Sequence, residues 1–404
     1  MPLSEPIPIP TSNNPVFGND SRPSIFSAML KPPRRLDRAR TMRHLSVPSQ
    51  QTEAWLLRCR REGWLADTGV ARLEDGRRGI PLNSNAPPED DAVWGDFPCV
   101  DIEPNAKGPT HWRERLPPSL QALDEAIWPS AYEIQGDVLM VKVEGEAATH
   151  EQAMADAMLA QLPNTRLICA DEGVEGDFRV RNLRVLASRD GSTTTRTTVK
   201  EHGSIMWVDP GEVYFSARLS TQRQETHQHI KSFREQLGKP LVLADPYAGV
   251  GPSLPLLIND EGLLSGYIVG DLNPVAVDLL RMNLDAWTRG KDATFSPAIT
   301  VCQDARTWKS APENRGQADV LLVNLPHDSF EHLSDLFPLF NRTNPSLLRG
   351  WAIVERASLP QRKQHLQELV RDAGGRPSDT FVEEVKGFSS TRCFVVFQTV
   401  IAWD

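Results

Sequence analysis

The pattern of hydrophobic and polar residues changes character near residue 130. Before that point, apolar residues at helical spacing predict a helix at 51–63 with Trp55, Leu56 and Cys59 on one face, and residues 83–116, rich in Pro, Asp and Asn, read as a linker. After it, short apolar runs alternate with Gly, Asp and Ser. The elements predicted there are strands at 137–143, 178–186, 196–200, 205–208 and 213–215 and helices at 151–162 and 221–237. This order predicts a small α+β domain.

Beyond residue 240, short buried strands alternate with helices. The predicted strands are 241–244, 267–270, 298–301, 320–323, 351–354 and 393–401, and two of the helices are 274–287 and 359–373. This alternation predicts a mostly parallel sheet with helices on both faces, a Rossmann-like doubly wound α/β fold. The predicted segments are a disordered, basic, Pro-rich tail (1–45), a small N-terminal α/β piece with its linker (46–116), the α+β domain (117–237) and a second, ligand-binding domain (238–404).

Composition excludes several classes of protein. No apolar stretch approaches the ~20 residues that a membrane helix needs. The five cysteines are scattered without a CxxC pair, which argues against a disulfide framework and a zinc site and favours a reducing compartment. We expect a cytoplasmic location, with the nucleus or mitochondrion as alternatives. The net charge of −9 argues against extensive nucleic-acid binding unless a local basic patch makes the contact, and the candidate patches are 34–43 and 179–184.

Polar and glycine residues follow the first two strands of the second domain. The run from Asp245 to Gly251 directly follows a buried strand, and Gly249 and Gly251 would let the backbone approach a nucleotide-like ligand. Asp271 ends the next strand. It is placed to accept both hydroxyls of a ribose, or it caps the helix that begins at Pro274.

Asp304 and Asn324 follow the next two strands. Asp304 would hold the exocyclic amine of an adenine or cap a surface turn, and Asn324 would bind a substrate amide or form a turn before Leu-Pro. The sequence lacks GxxxxGK[ST], and Leu254 stands where a dinucleotide motif has its third glycine. The pattern therefore favours S-adenosylmethionine over ATP or NAD.

Three stretches, DPYAGVGPS, DLNPVAVDLLRMNL and NLP, resemble the tRNA guanine-37 N1-methyltransferases. They also resemble the wybutosine-pathway relatives of those enzymes, which transfer an aminocarboxypropyl group instead. The segments YEIQGDVLMVKV, FRVRNLRVLAS and WVDPGEVYFSARLST resemble the small domain before the catalytic domain of this family, and EVKGFSSTRCFVVFQTVI resembles its closing hairpin. The resemblance implies an S-adenosylmethionine-dependent methyltransferase that N-methylates a purine, guanosine 37, in tRNA. We expect a monomer that needs no metal and no membrane.

The same motifs imply roles for individual residues. The predicted cofactor-binding residues are Asp245, Tyr247, Gly249, Gly251, Asp271, Asn273 and Asp304. In the predicted catalytic set, Arg179 would stabilise the purine O6 and Asn324 would orient the base. The NLP form favours the methyltransferase branch over aminocarboxypropyl transfer.

One position departs from the family pattern. Where the methyltransferases carry a glutamate as general base, this chain has Gln222, whose amide cannot take a proton at neutral pH. Either Glu225, one helical turn on, replaces that base as the third catalytic residue, or the acceptor no longer needs one, and the pattern favours a changed substrate. The alternatives are therefore a diverged paralogue that N-methylates a small molecule or peptide, an aminocarboxypropyltransferase, and a non-catalytic tRNA-binding protein.

Overall fold

The computed structural model describes residues 41–404 except 74, 177 and 292–294, in two units that divide between Gly108 and Pro109. The elements of the first unit are β1 (Met42–Val47), α1 (Thr52–Arg61), β2 (Ala71–Arg72), β3 (Arg78–Pro81) and β4 (Cys99–Ile102). The strands form an antiparallel sheet in the order β2-β3-β1-β4. Cys59 of α1 is buried in the core of this unit, as the helical spacing predicted.

Strand β1 begins inside the segment that the sequence assigned to the tail. His44 and Ser46 are buried together with Leu45 and Val47, so the strand lacks the alternation of buried and exposed residues that would reveal it. The predicted disorder of residues 1–40 and most of the basic run 34–43 lie outside the described residues.

The second unit opens with a small α+β region. Its elements are α2 (Pro118–Gln121), β5 (Tyr132–Gln135), β6 (Val138–Val141), α3 (Glu151–Gln161), β7 (Leu167–Glu175), β8 (Val180–Ser188), β9 (Thr197–Glu201) and β10 (Ser204–Val208). Strands β5-β6-β7-β8 form one sheet, whose core includes Met154 and Met158 of α3, and β9 pairs with β10 in a separate hairpin. The predicted α+β domain is confirmed.

The predicted strand at 213–215 is wrong. The chain turns there instead, because the Glu212 and Val213 N–H groups both donate to the Asp209 carbonyl. Val213 and Phe215 are buried and Tyr214 is exposed, which reproduces the alternation of a strand without its pairing.

A seven-stranded sheet forms the rest of the second unit. Its elements are α4 (Ser220–Leu237), β11 (Leu241–Asp245), α5 (Leu254–Asn259), β12 (Leu264–Asp271), α6 (Pro274–Thr288), β13 (Ala298–Cys302), β14 (Val320–Asn324), α7 (Ser329–Leu336), β15 (Ser346–Glu355), α8 (Leu359–Asp372), β16 (Gly375–Gly387) and β17 (Arg392–Trp403). The strand order is β13-β12-β11-β14-β15-β17-β16. The first five strands are parallel, and β17 and β16 add antiparallel pairs at one edge.

Helices cover both faces of this sheet. Helices α4, α5 and α6 pack on the face that carries Leu243 and Leu322, while α7 and α8 pack on the face that carries Leu321 and Val323. The predicted doubly wound α/β fold is therefore confirmed. The carboxyl ends of the parallel strands bring their loops to one edge, where such folds bind ligands. Across residues 41–404, apart from the short gaps, no helix is long and apolar enough to span a membrane.

Candidate functional site

The first loop at this edge begins with a buried carboxyl group. Asp245 ends β11 with 4% of its surface exposed and accepts a hydrogen bond from the Tyr247 N–H at 3.3 Å. Burial, together with the nearby Asp271 carboxylate, raises the pKa of Asp245 to about 7, although the hydrogen bond from the Tyr247 N–H opposes the shift. Asp245 therefore supplies a carboxyl group that titrates near neutral pH beneath the glycine loop.

Asp271 links this loop to the next one. Its Oδ2 accepts a hydrogen bond from the Gly249 N–H at 2.9 Å, and its Oδ1 accepts one from the Asn273 N–H at 3.0 Å. Burial raises the pKa of this carboxyl group, although the backbone hydrogen bonds oppose the shift. A carboxylate oxygen has two lone pairs, so each oxygen can still accept a second donor.

Asn273, and not Asp271, caps helix α6. Its Oδ1 accepts hydrogen bonds from the Val275 and Ala276 N–H groups, and its Nδ2 donates to the Glu212 carbonyl at 2.7 Å. The side chain is buried, and the contacts within the protein engage both ends of its amide. A contact of Asn273 with a cofactor stays a prediction, and the structure gives this residue a positioning role.

The two glycines of the loop have different surroundings. Gly249 has φ +56°, and a Cβ there would meet only the Tyr214 carbonyl oxygen, at 3.8 Å, so its outer surface is open to a ligand. Gly251 has φ +86°, and a Cβ there would lie 2.7 Å from Cδ1 of Leu280. Gly251 is thus required for close packing against α6, and its predicted role in the approach of a ligand stays a prediction.

Tyr247 and Asp304 already have protein partners. The Tyr247 hydroxyl lies 2.7 Å from Nδ1 of His332, and burial raises the pKa of Tyr247. Asp304 caps a short 3₁₀ helix, and the Arg306 guanidinium contacts both of its oxygens, the shorter contact being 2.6 Å. This pairing holds the pKa of Asp304 below its usual range. A ligand amine at Asp304 would have to share the carboxylate with Arg306.

Asn324 lies at the same edge of the sheet. It ends β14 directly opposite Trp351 of β15, so the two side chains share the face covered by α4. Within the described residues, the Asn324 amide makes no hydrogen bond. It is half-buried and has unused donor and acceptor groups.

Arg179 lies near the loop that follows Asn324. It occupies the left-handed region at φ +53°, in the connection between β7 and β8. The pKa of His327, three positions after Asn324, is lowered by burial and then by the charge of Arg179. The fold therefore brings Arg179 within electrostatic range of His327, three residues after Asn324, although the two segments are distant in sequence.

A groove of about 1470 Å³ is lined by the small α+β region, by residues 210–218 before α4 and by Lys386 of β16. Arg179, Tyr214, Arg218 and Lys386 line it. Tyr214 is 58% exposed, and its carbonyl is the neighbour of Gly249 noted above. The sequence segment around Tyr214 and Arg218 carried a family resemblance, but no single residue in it stood out.

The predicted basic patch at 179–184 is largely neutralised. Arg181 pairs with Glu133 and Asp171, both at 2.8 Å, and Arg184 pairs with Glu151 and Glu172. Of the arginines in this patch, Arg179 makes no ion pair among the described residues. The other cations of the groove that could contact a ligand come from other segments.

Residues 112–193 match the family model of the TYW2 N-terminal domain. The chain is 30% identical over 163 residues to a tRNA (guanine(37)-N(1))-methyltransferase Trm5b of Methanocaldococcus jannaschii, covering 40% of this chain and 44% of that protein. It is 26% identical over 239 residues to the Trm5b of Pyrococcus abyssi, covering 58% of this chain and 64% of that protein. The family resemblance is confirmed. The chain spans about half the length of the curated relatives it matches.

The fold agrees with that of a solved Trm5b. The crystal structure of Trm5b from Pyrococcus abyssi superposes with a TM-score of 0.59 at 20% identity, over 90% of this chain and 100% of that one. At this identity the likeness establishes the fold alone. The individual site residues rest on the geometry described above.

Gln222 stands where the family resemblance implies a glutamate, and the structure shows both hydrogen-bond partners of its amide. Gln222 Oε1 accepts a hydrogen bond from Nε1 of Trp351 at 3.2 Å, and its Nε2 donates to Oε2 of Glu225 at 2.8 Å. Glu225 is exposed, one helical turn along α4. In the part of the chain that the structure describes, no group of three or more His, Cys, Asp or Glu residues is arranged to hold a metal ion.

Proposed function

We propose that this protein transfers a methyl group from S-adenosylmethionine to N1 of guanosine 37 in tRNA. The observation that carries the proposal is that the Asp271–Gly249 pair and Asn324 lie at one sheet edge, with Arg179 close enough to the loop after Asn324 to act on the pKa of His327. The first pair suits a nucleoside cofactor and the second suits a purine. The names of the curated relatives support the same reaction.

The residues of the first loops fit an S-adenosyl group. Asp271 offers the free lone pairs of a carboxylate to the ribose hydroxyls, and the open surface of Gly249 admits the nucleoside beside it. Asp245 places a second carboxyl group under the loop, and Asp304 would accept the adenine amine. When bound, the cofactor would supply an electrophilic methyl group.

The residues proposed to bind the acceptor fit a purine base that is part of a nucleic acid. Arg179 would donate to the purine O6, where negative charge grows as N1 loses its proton, and Asn324 would donate to and accept from the base edge. Arg218 and Lys386 line the same groove and would contact phosphates. The exposed ring of Tyr214 offers a stacking surface for an unpaired base.

Aminocarboxypropyl transfer is the second candidate, and the match of residues 112–193 to the TYW2 N-terminal domain favours it. Both reactions would use the same cofactor and leave different by-products, S-adenosylhomocysteine for methyl transfer and methylthioadenosine for aminocarboxypropyl transfer. That the protein acts as a monomer, in the cytoplasm and without a metal, stays a prediction.

One assay separates these reactions. Purified protein is incubated with S-adenosylmethionine and either tRNA transcripts carrying G37 or A37 or tRNA carrying the wybutosine precursor at position 37, and the nucleosides and by-products are resolved by mass spectrometry. We expect 1-methylguanosine in the G37 transcript alone, with S-adenosylhomocysteine released. Methylthioadenosine would favour the second candidate. In a parallel incubation with labelled S-adenosylmethionine and a cell extract, label found only in small molecules or protein, or cofactor binding without turnover on any fraction, would overturn both.

A further inference from the structure

An unpaired stretch of chain forms part of the groove wall. This groove segment comprises residues 213–218, and all of them except Ala217 line the groove. Within the described residues no strand pairs with it, so donors other than a neighbouring strand must bind its buried backbone carbonyls. The groove segment presents Tyr214, 58% exposed, and the side chain of Arg218, 78% exposed, to solvent.

Gln135 of β5 binds one of these carbonyls from the small α+β region. Its Nε2 donates to the Phe215 carbonyl oxygen at 3.3 Å and to Oε1 of Glu133 at 2.9 Å. A backbone carbonyl and a carboxylate can only accept, so the NH₂ group must face both of them. The amide of Gln135 therefore has one orientation.

This orientation leaves the other end of the Gln135 amide without a partner. The side chain is 2% exposed, and its Oε1 is buried and accepts no hydrogen bond from any described residue. A buried acceptor without a donor destabilises the folded state. A hydrophobic side chain of the same length would avoid that cost, so stability does not explain the amide at this position. The two hydrogen bonds that the amide donates are the remaining explanation.

Glu133, the second partner of Gln135, also faces the groove segment. Its Oε2 accepts a hydrogen bond from Nη2 of Arg181 at 2.8 Å and lies 3.9 Å from Nη2 of Arg218. Burial acts to raise the pKa of Glu133, but the hydrogen bonds from Gln135 and Arg181 hold it below its usual range. The ionised Glu133 therefore attracts Arg218 at one end of the groove segment, while Gln135 binds the carbonyl in its middle.

The groove segment is also bound from the opposite side. Ser216 is extended, with φ −136° and ψ 113°, so the carbonyls of Phe215 and Ser216 point to opposite sides of the chain. Arg223 of α4, 5% exposed, donates from Nη2 to the Ser216 carbonyl at 3.1 Å. Two successive carbonyls of the groove segment are therefore bound by side chains from the small sheet and from α4.

We propose that Gln135 is a positioning residue that holds Tyr214 and Arg218 in place for the RNA acceptor. The inference rests on the proposed function, in which the groove binds tRNA through these two side chains. The Phe215 carbonyl lies between them in the chain, so a shift at that carbonyl moves both. A surface that is already ordered loses less conformational entropy on binding. Without the Gln135 hydrogen bond, the groove segment would have to be ordered by the tRNA itself, which would weaken binding.

The test compares wild type with Gln135→Met, Gln135→Glu and the control Gln121→Met. Methionine is similar in length to glutamine, donates no hydrogen bond and leaves no buried oxygen. Glutamate has the shape of glutamine, but an ionised carboxylate cannot donate to the Phe215 carbonyl. Gln121 also donates to two oxygens, the carbonyls of Glu114 and Leu116, but it does not line the groove.

We expect Gln135→Met to unfold at the same urea concentration as wild type or at a higher one, because the unpaired oxygen is gone. The Kd for tRNA should rise about three- to tenfold, as expected for the loss of one hydrogen bond. The Kd for S-adenosylhomocysteine and kcat at saturating tRNA should stay within about twofold of wild type, because the lost contact affects binding alone. Gln135→Glu should raise the Kd for tRNA at least as much, and Gln121→Met should match wild type.

A double-mutant cycle shows whether Gln135 acts through the groove segment. In a background carrying Tyr214→Ala and Arg218→Ala, Gln135→Met should change the Kd for tRNA by less than about twofold, because the side chains that it positions are gone. If Gln135→Met binds tRNA as wild type does, unfolds at a lower urea concentration, or acts equally in both backgrounds, the inference is wrong while the proposed function stands. If wild type binds tRNA without methylating G37, the proposed function fails alone. If wild type binds no tRNA, the proposed function and the positioning role fail together.

Discussion

Removal of the Asp271 carboxylate should weaken cofactor binding more than any other single change at the loop edge. The carboxylate is already largely desolvated, as its raised pKa indicates, so a ribose diol would gain charge-assisted hydrogen bonds at little further desolvation cost. Losing one such bond costs ~1.5–3 kcal/mol, or roughly tenfold to more than a hundredfold in Kd. Asp271→Ala should therefore raise the Kd for S-adenosylhomocysteine by at least tenfold.

The same substitution also frees the Gly249 and Asn273 N–H groups, so the direct and indirect effects must be separated. Asp271→Asn keeps the size of the side chain and one acceptor, but its NH₂ group would oppose one of those N–H donors. Asp278→Asn is the matched control, because Asp278 is an exposed carboxylate on α6 that, among the described residues, pairs with Arg281 alone. The Kd of the Asp278→Asn variant for S-adenosylhomocysteine should equal that of wild type.

Isothermal titration calorimetry at pH 8 measures the three variants, with urea unfolding to show that each is folded. Binding to wild type should weaken as pH falls through the raised pKa of Asp271, because the protonated carboxyl group loses its charge. A folded Asp271→Ala variant that binds S-adenosylhomocysteine within twofold of wild type would refute the ribose assignment.

Three further predictions follow from other residues of the site. Asp245 has a folded-state pKa of about 7, above its unfolded value, so the folded state binds more protons and its stability falls as pH rises from about 4 to 7. Asp245→Asn should remove this pH dependence of stability and stabilise the protein at pH 8 by on the order of a few kcal/mol. Equal unfolding free energies of the wild type at pH 5 and pH 8, measured with urea, would contradict the burial argument. Gly251→Ala should lower the unfolding free energy by about 1–3 kcal/mol through its clash with α6, and Gly249→Ala by about 1 kcal/mol through its positive φ alone; the reverse order in thermal unfolding would show that the packing is misassigned. Arg179→Ala should reduce the log–log salt slope of tRNA binding by about 0.7–0.9, whereas Arg184→Ala, whose charge is already paired, should leave it unchanged; a slope already flat in wild type would remove tRNA as a partner.

The arrangement of the sheet-edge loops could be predicted because it depends on local order. Short apolar runs ending in Asp245, Asp271 and Asn324 mark the carboxyl ends of parallel strands, and such ends meet at one edge whatever the side chains beyond them. The glycine and acidic residues after the strands then indicate a ligand. Local order did not predict that Arg179 belongs to the site, because β7, the strand before its loop, was not predicted. Only the family resemblance implied a role for Arg179.

The roles of individual side chains could not be predicted where their partners are distant in sequence. Arg181 is neutralised partly by Glu133, 48 positions away, and Gln222 bonds to Trp351, 129 positions away. Asn273 stands in a motif that suggests a ligand contact, yet both ends of its amide are engaged, one by the α6 cap and the other by the Glu212 carbonyl. Local spacing carries no information about these pairings, since the fold alone decides which charges and amides remain free.

The same principle reconciles a net charge of −9 with an anionic partner. In the small α+β region, Arg181 and Arg184 pair with acidic neighbours. These arginines therefore contribute little to the electrostatic potential at the surface. Arg179, Lys386 and the 78%-exposed Arg218, which lies 3.9 Å from Glu133, all line one groove. A phosphate backbone responds to the local potential within about 8–10 Å at ordinary ionic strength, not to the total charge of the chain. Carboxylates also line this groove, namely those of Asp124, Glu133, Glu144, Glu146 and Asp171. Phosphates would therefore bind at Arg179, Arg218 and Lys386 individually, because the groove as a whole is not uniformly positive.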